Sequence, residues 1–357
     1  MVSKIHLALF LLLLRCTAAT AQQKELAELL RQKQVTGIQL IHTKNGKTKN
    51  YTLGYRQADS QWPLTASSTM QAASLGKVML AYMALRLHDQ GLLSLDKPLL
   101  SYQPYPRLQN EPHADKITAR MVLTHSSGLP NWAENPLADS WQNSALQLRF
   151  APDSCWNYSG EGFVLLQKTL EHITGKSLEQ LAREQVFIPL QMANSSYVWQ
   201  PRFAEEAATG HDKAGRPTEI RRFSKPNAGF SLLSTATDYN QFVQALLTGA
   251  GLQPATHQLL LKPASEANRC GRALTPTDAS ITWAYGLGLA STSHGPTMWH
   301  WGTNDDFEGF FMVFPDRNET LLFLTNSGNG LKLADDVLHL FCGPGDYKAL
   351  QWLAEEK

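Results

Sequence analysis

Residues 74–87 read Ser74-Leu75-Gly76-Lys77-Val78-Met79-Leu80-Ala81-Tyr82-Met83-Ala84-Leu85-Arg86-Leu87, the most informative run in the 357 residues. Apolar side chains fall on nearly every face of it, which marks a helix buried all round. The helix is expected over 74–90, stopped by Gly91. Lys77 stands in its first turn, where burial makes an ammonium costly unless it is paired or gives up its proton. On a helix, Lys77 shares a face with Ser74, one turn back. A desolvated amine beside a hydroxyl, at a helix N-terminus whose dipole favours developing negative charge, is a base beside a nucleophile. The plain alternative is a lysine that snorkels to solvent along its own stem. The same spacing recurs at Ser94-Leu95-Asp96-Lys97, but Pro98 and polar neighbours mark a turn there.

Around this helix the pattern is strands at both ends of the chain and helices between. Residues 37–55 form a hairpin about Asn45-Gly46, with Ile38 to Ile41 going out and Tyr51 to Leu53 returning. Helices are expected over 161–174, stopped by Gly175, over 177–187, where Ser177 and Gln180 have capping-box spacing, and over 235–248. Trp283–Ala290, Thr297–Trp301, Phe307–Phe314 and Thr320–Thr325 are β-rich runs between turn signals, followed by a last helix near 331–341. This order predicts an α+β fold. Its antiparallel sheet is built from N- and C-terminal segments and flanked by helices, and a mainly helical lobe is inserted over roughly 92–235. With 43% hydrophobic residues the chain can bury a single large core, so 22–357 is read as one domain. Residues 201–226, polar and holding Gly and Pro, are expected to be a mobile surface segment.

Charge excludes some functions. There are 32 basic against 31 acidic residues and no basic run, so a nucleic-acid partner is not expected. G-x-S-x-G, H-E-x-x-H, G-x-x-x-x-G-K-[ST] and G-x-G-x-x-G are all missing, which argues against those hydrolase, zinc-protease and nucleotide-binding designs. Lys4, the apolar run Ile5 to Leu14 and Ala19-Thr20-Ala21 have the form of a cleavable leader over 1–21, so a periplasmic or secreted protein is expected. A lipid anchor at Cys16 is the alternative, disfavoured because Arg15 stands where such a site needs a small residue. No later stretch is long and apolar enough to span a membrane. Past the leader remain Cys155, Cys270 and Cys342. An odd number permits one disulfide plus a thiol, or none, and buried thiols are the expectation. No metal spacing is present.

Three short motifs follow one another: Ser74-x-x-Lys77, then Tyr158-Ser159-Gly160, then His300-Trp301-Gly302. In that order they resemble the motifs of serine β-lactamases and penicillin-binding proteins, most of all the branch holding class C β-lactamases, D-Ala-D-Ala carboxypeptidases and esterases. Leu123–Pro130, Asn227–Thr235 and Gly302-Thr303-Asn304 are similar to that branch as well. The resemblance implies that Ser74 attacks a carbonyl and forms an acyl-enzyme. Lys77 and Tyr158 would share the proton transfers, and the backbone N–H groups of Ser74 and Thr303 would hold the oxyanion. It implies no metal or organic cofactor, and a small-molecule or peptide substrate, cell-wall peptides included.

The chain departs from the pattern twice. The family's second motif usually ends in Asn, whose amide touches the lysine and the acyl side chain of the substrate; here Gly160 stands there. The third often begins with Lys, which helps hold a substrate carboxylate; here it is His300, a group able to donate a hydrogen bond or relay a proton, with a charge set by pH. Both changes remove groups that grip a β-lactam or peptide carboxylate. The expected order is therefore ester or amide hydrolysis, then D,D-peptidase-like cleavage, then β-lactam hydrolysis. The rival is a weak or inactive descendant that binds a cell-wall peptide or protein through the same cleft, and Gly160 is its support. Trp301 either lines the cleft or covers the sheet. His125 is read as a hydrogen-bonded structural residue, and Asn326 and Asn329 as turn formers.

Overall fold

A computed structural model describes residues 21–356. Cys16 and all but the last residue of the expected leader lie outside them. The chain enters as helix α1 (21–33) and passes into β1 (Gly37–Lys44), β2 (Lys47–Gln57) and the short β3 (Trp62–Pro63). β4 (Met70–Ala73) then runs straight into α2 (Leu75–Asp89). Helices α3 (Ala119–Leu123), α4 (Gly160–Thr174) and α5 (Leu178–Ala182) follow, then β5 (Leu232–Ser234), α6 (Ala236–Thr248) and α7 (Pro254–Leu261). Strands β6 (Ser265–Glu266), β7 (Ile281–Trp283), β8 (Gly288–Thr292), β9 (Gly295–Thr303), β10 (Glu308–Phe314) and β11 (Glu319–Thr325) precede α8 (Ala334–Cys342) and α9 (Lys348–Glu356).

Nine strands form one sheet in the order β3-β2-β1-β11-β10-β9-β8-β7-β6, every pair antiparallel. The two ends of the chain meet where β1 pairs with β11, Ile38 opposite Thr325 and Lys44 opposite Glu319. The fold is α+β, as the sequence predicts. Side chains alternate across the sheet: Phe311, Val313, Leu322 and Leu324 join the core that contains α2, α4 and α6, while Phe310, Met312, Leu321 and Phe323 join the one under α1, α8 and α9. Both faces are covered, so β10 and β11 read as unbroken apolar runs.

Four expectations need correction. Trp283–Ala290 is not one strand but the end of β7, a turn and the start of β8; Gly286, at φ +90°, makes the turn. The helix expected near 331–341 opens with a 3₁₀ turn, and α8 proper begins at Ala334. The segment 201–226 is stitched down: Ala208 N donates to Thr69 O, Thr209 N to Arg56 O, and Gly328 N to the carbonyl of the buried His211. Cys155 and Cys270 are joined in a disulfide, with Cα atoms 5.5 Å apart, and among the described residues Cys342 alone is a free, buried thiol. The disulfide partners lie 115 residues apart, on segments whose approach depends on the finished fold. Among the described residues, no helix is long and apolar enough to cross a membrane.

Candidate active site

Ser74 sits at the junction of β4 and α2, as the N-cap residue of the helix. The residue before it, Ala73, has φ +49°, a left-handed conformation that costs a non-glycine residue energy and clusters at functional sites. The helix is buried along almost its whole length, and Lys77 with it: its side chain is among the largest wholly enclosed ones. Lys77 Nζ lies 2.9 Å from Ser74 Oγ and 2.8 Å from the carbonyl oxygen of Gly229, which also accepts from Ser74 Oγ at 3.2 Å. That carbonyl is held by its own loop, where Gly229 N donates to Asn227 Oδ1 and Ala228 N to Gln167 Oε1. Burial lowers the lysine from 10.5 to about 7, so the neutral amine is populated near neutrality.

The second motif supplies the opposite side. Tyr158 precedes α4, and its ring lies 4.9 Å from Lys77 Nζ. It stacks on His125 with centroids 4.5 Å apart and leans on Trp301 at 5.0 Å. His125 is fully buried and accepts from Ser159 N at 3.1 Å. Burial, then the nearby His300 and Lys77, keeps its imidazole well below the usual histidine range, so it stays neutral.

The third motif runs along β9. A Cβ placed on Gly302 would meet Ala72 O at 2.4 Å and Ser74 N at 3.2 Å, so only glycine lets the strand pass this close to Ser74. Thr303 is carried beside Ser74 and exposed to the cleft. The turn after it is tied down by Asn304 Nδ2, which donates to Gln71 Oε1 and Phe230 O. His300 takes a different place from a cleft-lining lysine. It is wholly buried, and its Nδ1–H donates to Trp301 O at 2.7 Å, which leaves Nε2 as the unprotonated nitrogen. Burial, and then Lys77, pushes it down to about 3. The expected pH-set charge is thus replaced by a neutral ring at any working pH. Trp301 is half-buried and lines the cleft.

The cleft has a volume of about 520 Å³ and is lined by Ser74, Trp132, Tyr158, Phe230, Trp301 and Thr303 among others. The fold brings Ser74, Lys77, Tyr158, Trp301, Gly302 and Thr303 together at one place. Gly160 opens α4 behind an indole, that of Trp132. Sequence reasoning missed Trp132, Gly229 and Glu161. The family-like stretch 227–235 drew attention to Gly229 without giving its carbonyl a partner. Trp132 follows a similar stretch by two residues, and only its position in space shows what it does. Asn326 and Asn329 are buried cross-links: Asn326 Nδ2 donates to the Tyr55 and Thr209 carbonyls, Asn329 Nδ2 to those of Gln34 and Lys213.

Comparison with known proteins places the chain in a family. The family model described as Beta-lactamase matches residues 23–340, and the chain belongs to that family. Penicillin-binding protein 4* of Bacillus subtilis (strain 168) is 24% identical over 320 residues, covering 81% of this chain and 67% of that protein. Protein flp of Staphylococcus aureus (strain N315) is 23% identical over 317 residues, covering 83% of this chain and 61% of its own length. Among solved structures, a class C β-lactamase superposes with a TM-score of 0.75 at 19% identity, covering 90% of this chain and 95% of that one. At that identity the likeness establishes the fold.

Proposed function

We propose that this protein is an exported serine hydrolase that forms an acyl-enzyme at Ser74 and cleaves esters or amides. The observation that carries the reading is Lys77: wholly buried, held near neutrality by burial, and 2.9 Å from Ser74 Oγ. In the structure Lys77 Nζ and Ser74 Oγ both donate to the Gly229 carbonyl; for reaction the serine hydroxyl turns its proton from that carbonyl to the lone pair of the neutral amine. In acylation, Oγ bonds to the substrate carbonyl carbon while its proton passes to Lys77, with Tyr158 alongside to relay it to the leaving alcohol or amine. The backbone N–H groups of Ser74 and Thr303 would receive the oxyanion, donors that typically contribute about 3–4 kcal/mol each to lowering the barrier. Water then splits the acyl-enzyme by the reverse proton path. The buried, neutral His300 holds the aromatic floor under Tyr158 and carries no charge for a substrate carboxylate. That supports esters and amides without a carboxylate over D,D-peptides and β-lactams, which both carry one. The leader-like N-terminus and the Cys155–Cys270 disulfide both support export to an oxidising compartment.

The test is intact mass after exposure to a fluorophosphonate, with Ser74→Ala as control. A single phosphonyl adduct, lost in the variant, is the expected outcome. Folded protein that takes no adduct would overturn the reading and favour a binding descendant of the family.

A further inference from the structure

Trp132 has no part in the chemistry above, yet two elements of the fold are shaped around it. A Cβ built on Gly160 would lie 2.4 Å from Trp132 Cζ2, and one built on Gly229 would lie 2.6 Å from Cη2. The indole therefore fills the corner into which the family's usual Asn would project, between the start of α4 and the loop that carries the Gly229 carbonyl. Its ring lies 5.9 Å from Lys77 Nζ and meets Phe230 and Trp141 edge-on at 5.8 and 5.9 Å.

The ring is clamped by its neighbours in the chain. Asn131 accepts through its carbonyl from Glu161 N and through Oδ1 from Gly160 N, each at 3.0 Å. Ala133 N donates to Glu161 Oε1 at 3.1 Å. The Glu161 carboxylate is itself fully buried and accepts from Arg107 Nη1 at 2.6 Å and Trp141 Nε1 at 2.7 Å. The residue after Gly160 thus locks in place the residue that covers Gly160.

We infer that Trp132 is the specificity-determining residue on the acyl side, and that the cleft takes esters of short apolar acyl groups and rejects acyl groups bearing an acylamino substituent. The inference rests on the serine-hydrolase reading. An acylamino group brought to this corner would lose water and find a flat carbon surface, so its amide would go unpaired. A short alkyl chain lies against the same surface without that loss. Glu161 acts through Trp132 as a positioning residue.

The experiment compares kcat/KM for 4-nitrophenyl butyrate with that for the 4-nitrophenyl ester of N-acetyl-D-alanine, which share a leaving group and differ only on the acyl side. Wild type is expected to favour the butyrate by about 100-fold, the scale on which an unpaired polar group discriminates. Trp132→Ala should narrow the ratio by about 10-fold, and Trp132→Ala/Gly160→Asn further, while Trp132→Phe, which keeps a ring over Gly160, holds it near wild type. A wild-type ratio near one overturns the inference whether or not the variants fold. An unchanged ratio in a Trp132→Ala protein that melts cooperatively does so too. Phosphonate labelling of Ser74 run alongside separates the two readings. Labelling with a ratio near one removes only the role of Trp132, whereas no labelling removes the hydrolase reading and this inference with it.

Discussion

The two sides of the cleft are held by different means. On the nucleophile side, Ser74 and Lys77 are three residues apart on one buried helix, and β9 lies against them because Gly302 has no side chain. Backbone fixes that side. On the acyl side, Trp132 belongs to a loop, and its position depends on side chains from elsewhere: the glycines at 160 and 229 that make room, and the buried Arg107–Glu161 pair that anchors its neighbours. The first arrangement suits chemistry, which tolerates little displacement. The second can change with a few substitutions and leave the nucleophile alone. On the proposed function, the reaction and the choice of substrate are thereby separable within one fold.

The sharpest way to break this comparison is Lys77→Met. Acylation of Ser74 should fall by about 10²–10⁴, the usual worth of a positioned general base. Stability should move the other way. The folded-state value of about 7 lies below the ordinary 10.5, so between these two pH values the unfolded chain binds the extra proton and stability rises with pH. Below about pH 7 the penalty is fully present. Lys77→Met is therefore expected to melt at a higher temperature than wild type near pH 6, with the gap closing toward pH 10.

On the other side, Glu161→Ala leaves the Arg107 guanidinium buried without its partner and should cost about 3–5 kcal/mol in urea unfolding. Gly302→Ala returns to the nucleophile side: its Cβ must push β9 away from Ala72 and Ser74, lowering acylation by about 10²–10³ while far-UV circular dichroism stays native. The smallest effect is expected from Cys155→Ala/Cys270→Ala, about 2–4 kcal/mol of stability, read as a drop in Tm that reductant reproduces in the wild type.

The same division governs what the sequence reveals. Ser74 and Lys77 are legible because an apolar run with one lysine in its first turn is a local pattern, and the sheet's outer segments because strand and turn signals are local too. Trp132 is not. An aromatic residue after Leu129-Pro130-Asn131 has no distinguishing neighbours, and the space it fills is defined by glycines 28 and 97 residues further on. Gly160 looks like a loss from the motif until the indole over it is seen. His300 shows a similar limit. The strand position was readable, but its burial and its bond to the Trp301 carbonyl, which hold it neutral, follow from packing that involves Tyr158, Trp283 and Trp301. The disulfide depends on two loops 115 residues apart.

The decisive experiment is the pH dependence of the single-turnover rate of Ser74 acylation, followed with 4-nitrophenyl butyrate in wild type and Lys77→Met. If the buried amine is the base, the wild-type rate rises with pH through an apparent pKa near about 7 and then levels, and the variant loses that step. A wild-type rate that is flat from about pH 5 to about pH 9, or a step that survives in Lys77→Met, would show that the proton of Ser74 goes elsewhere.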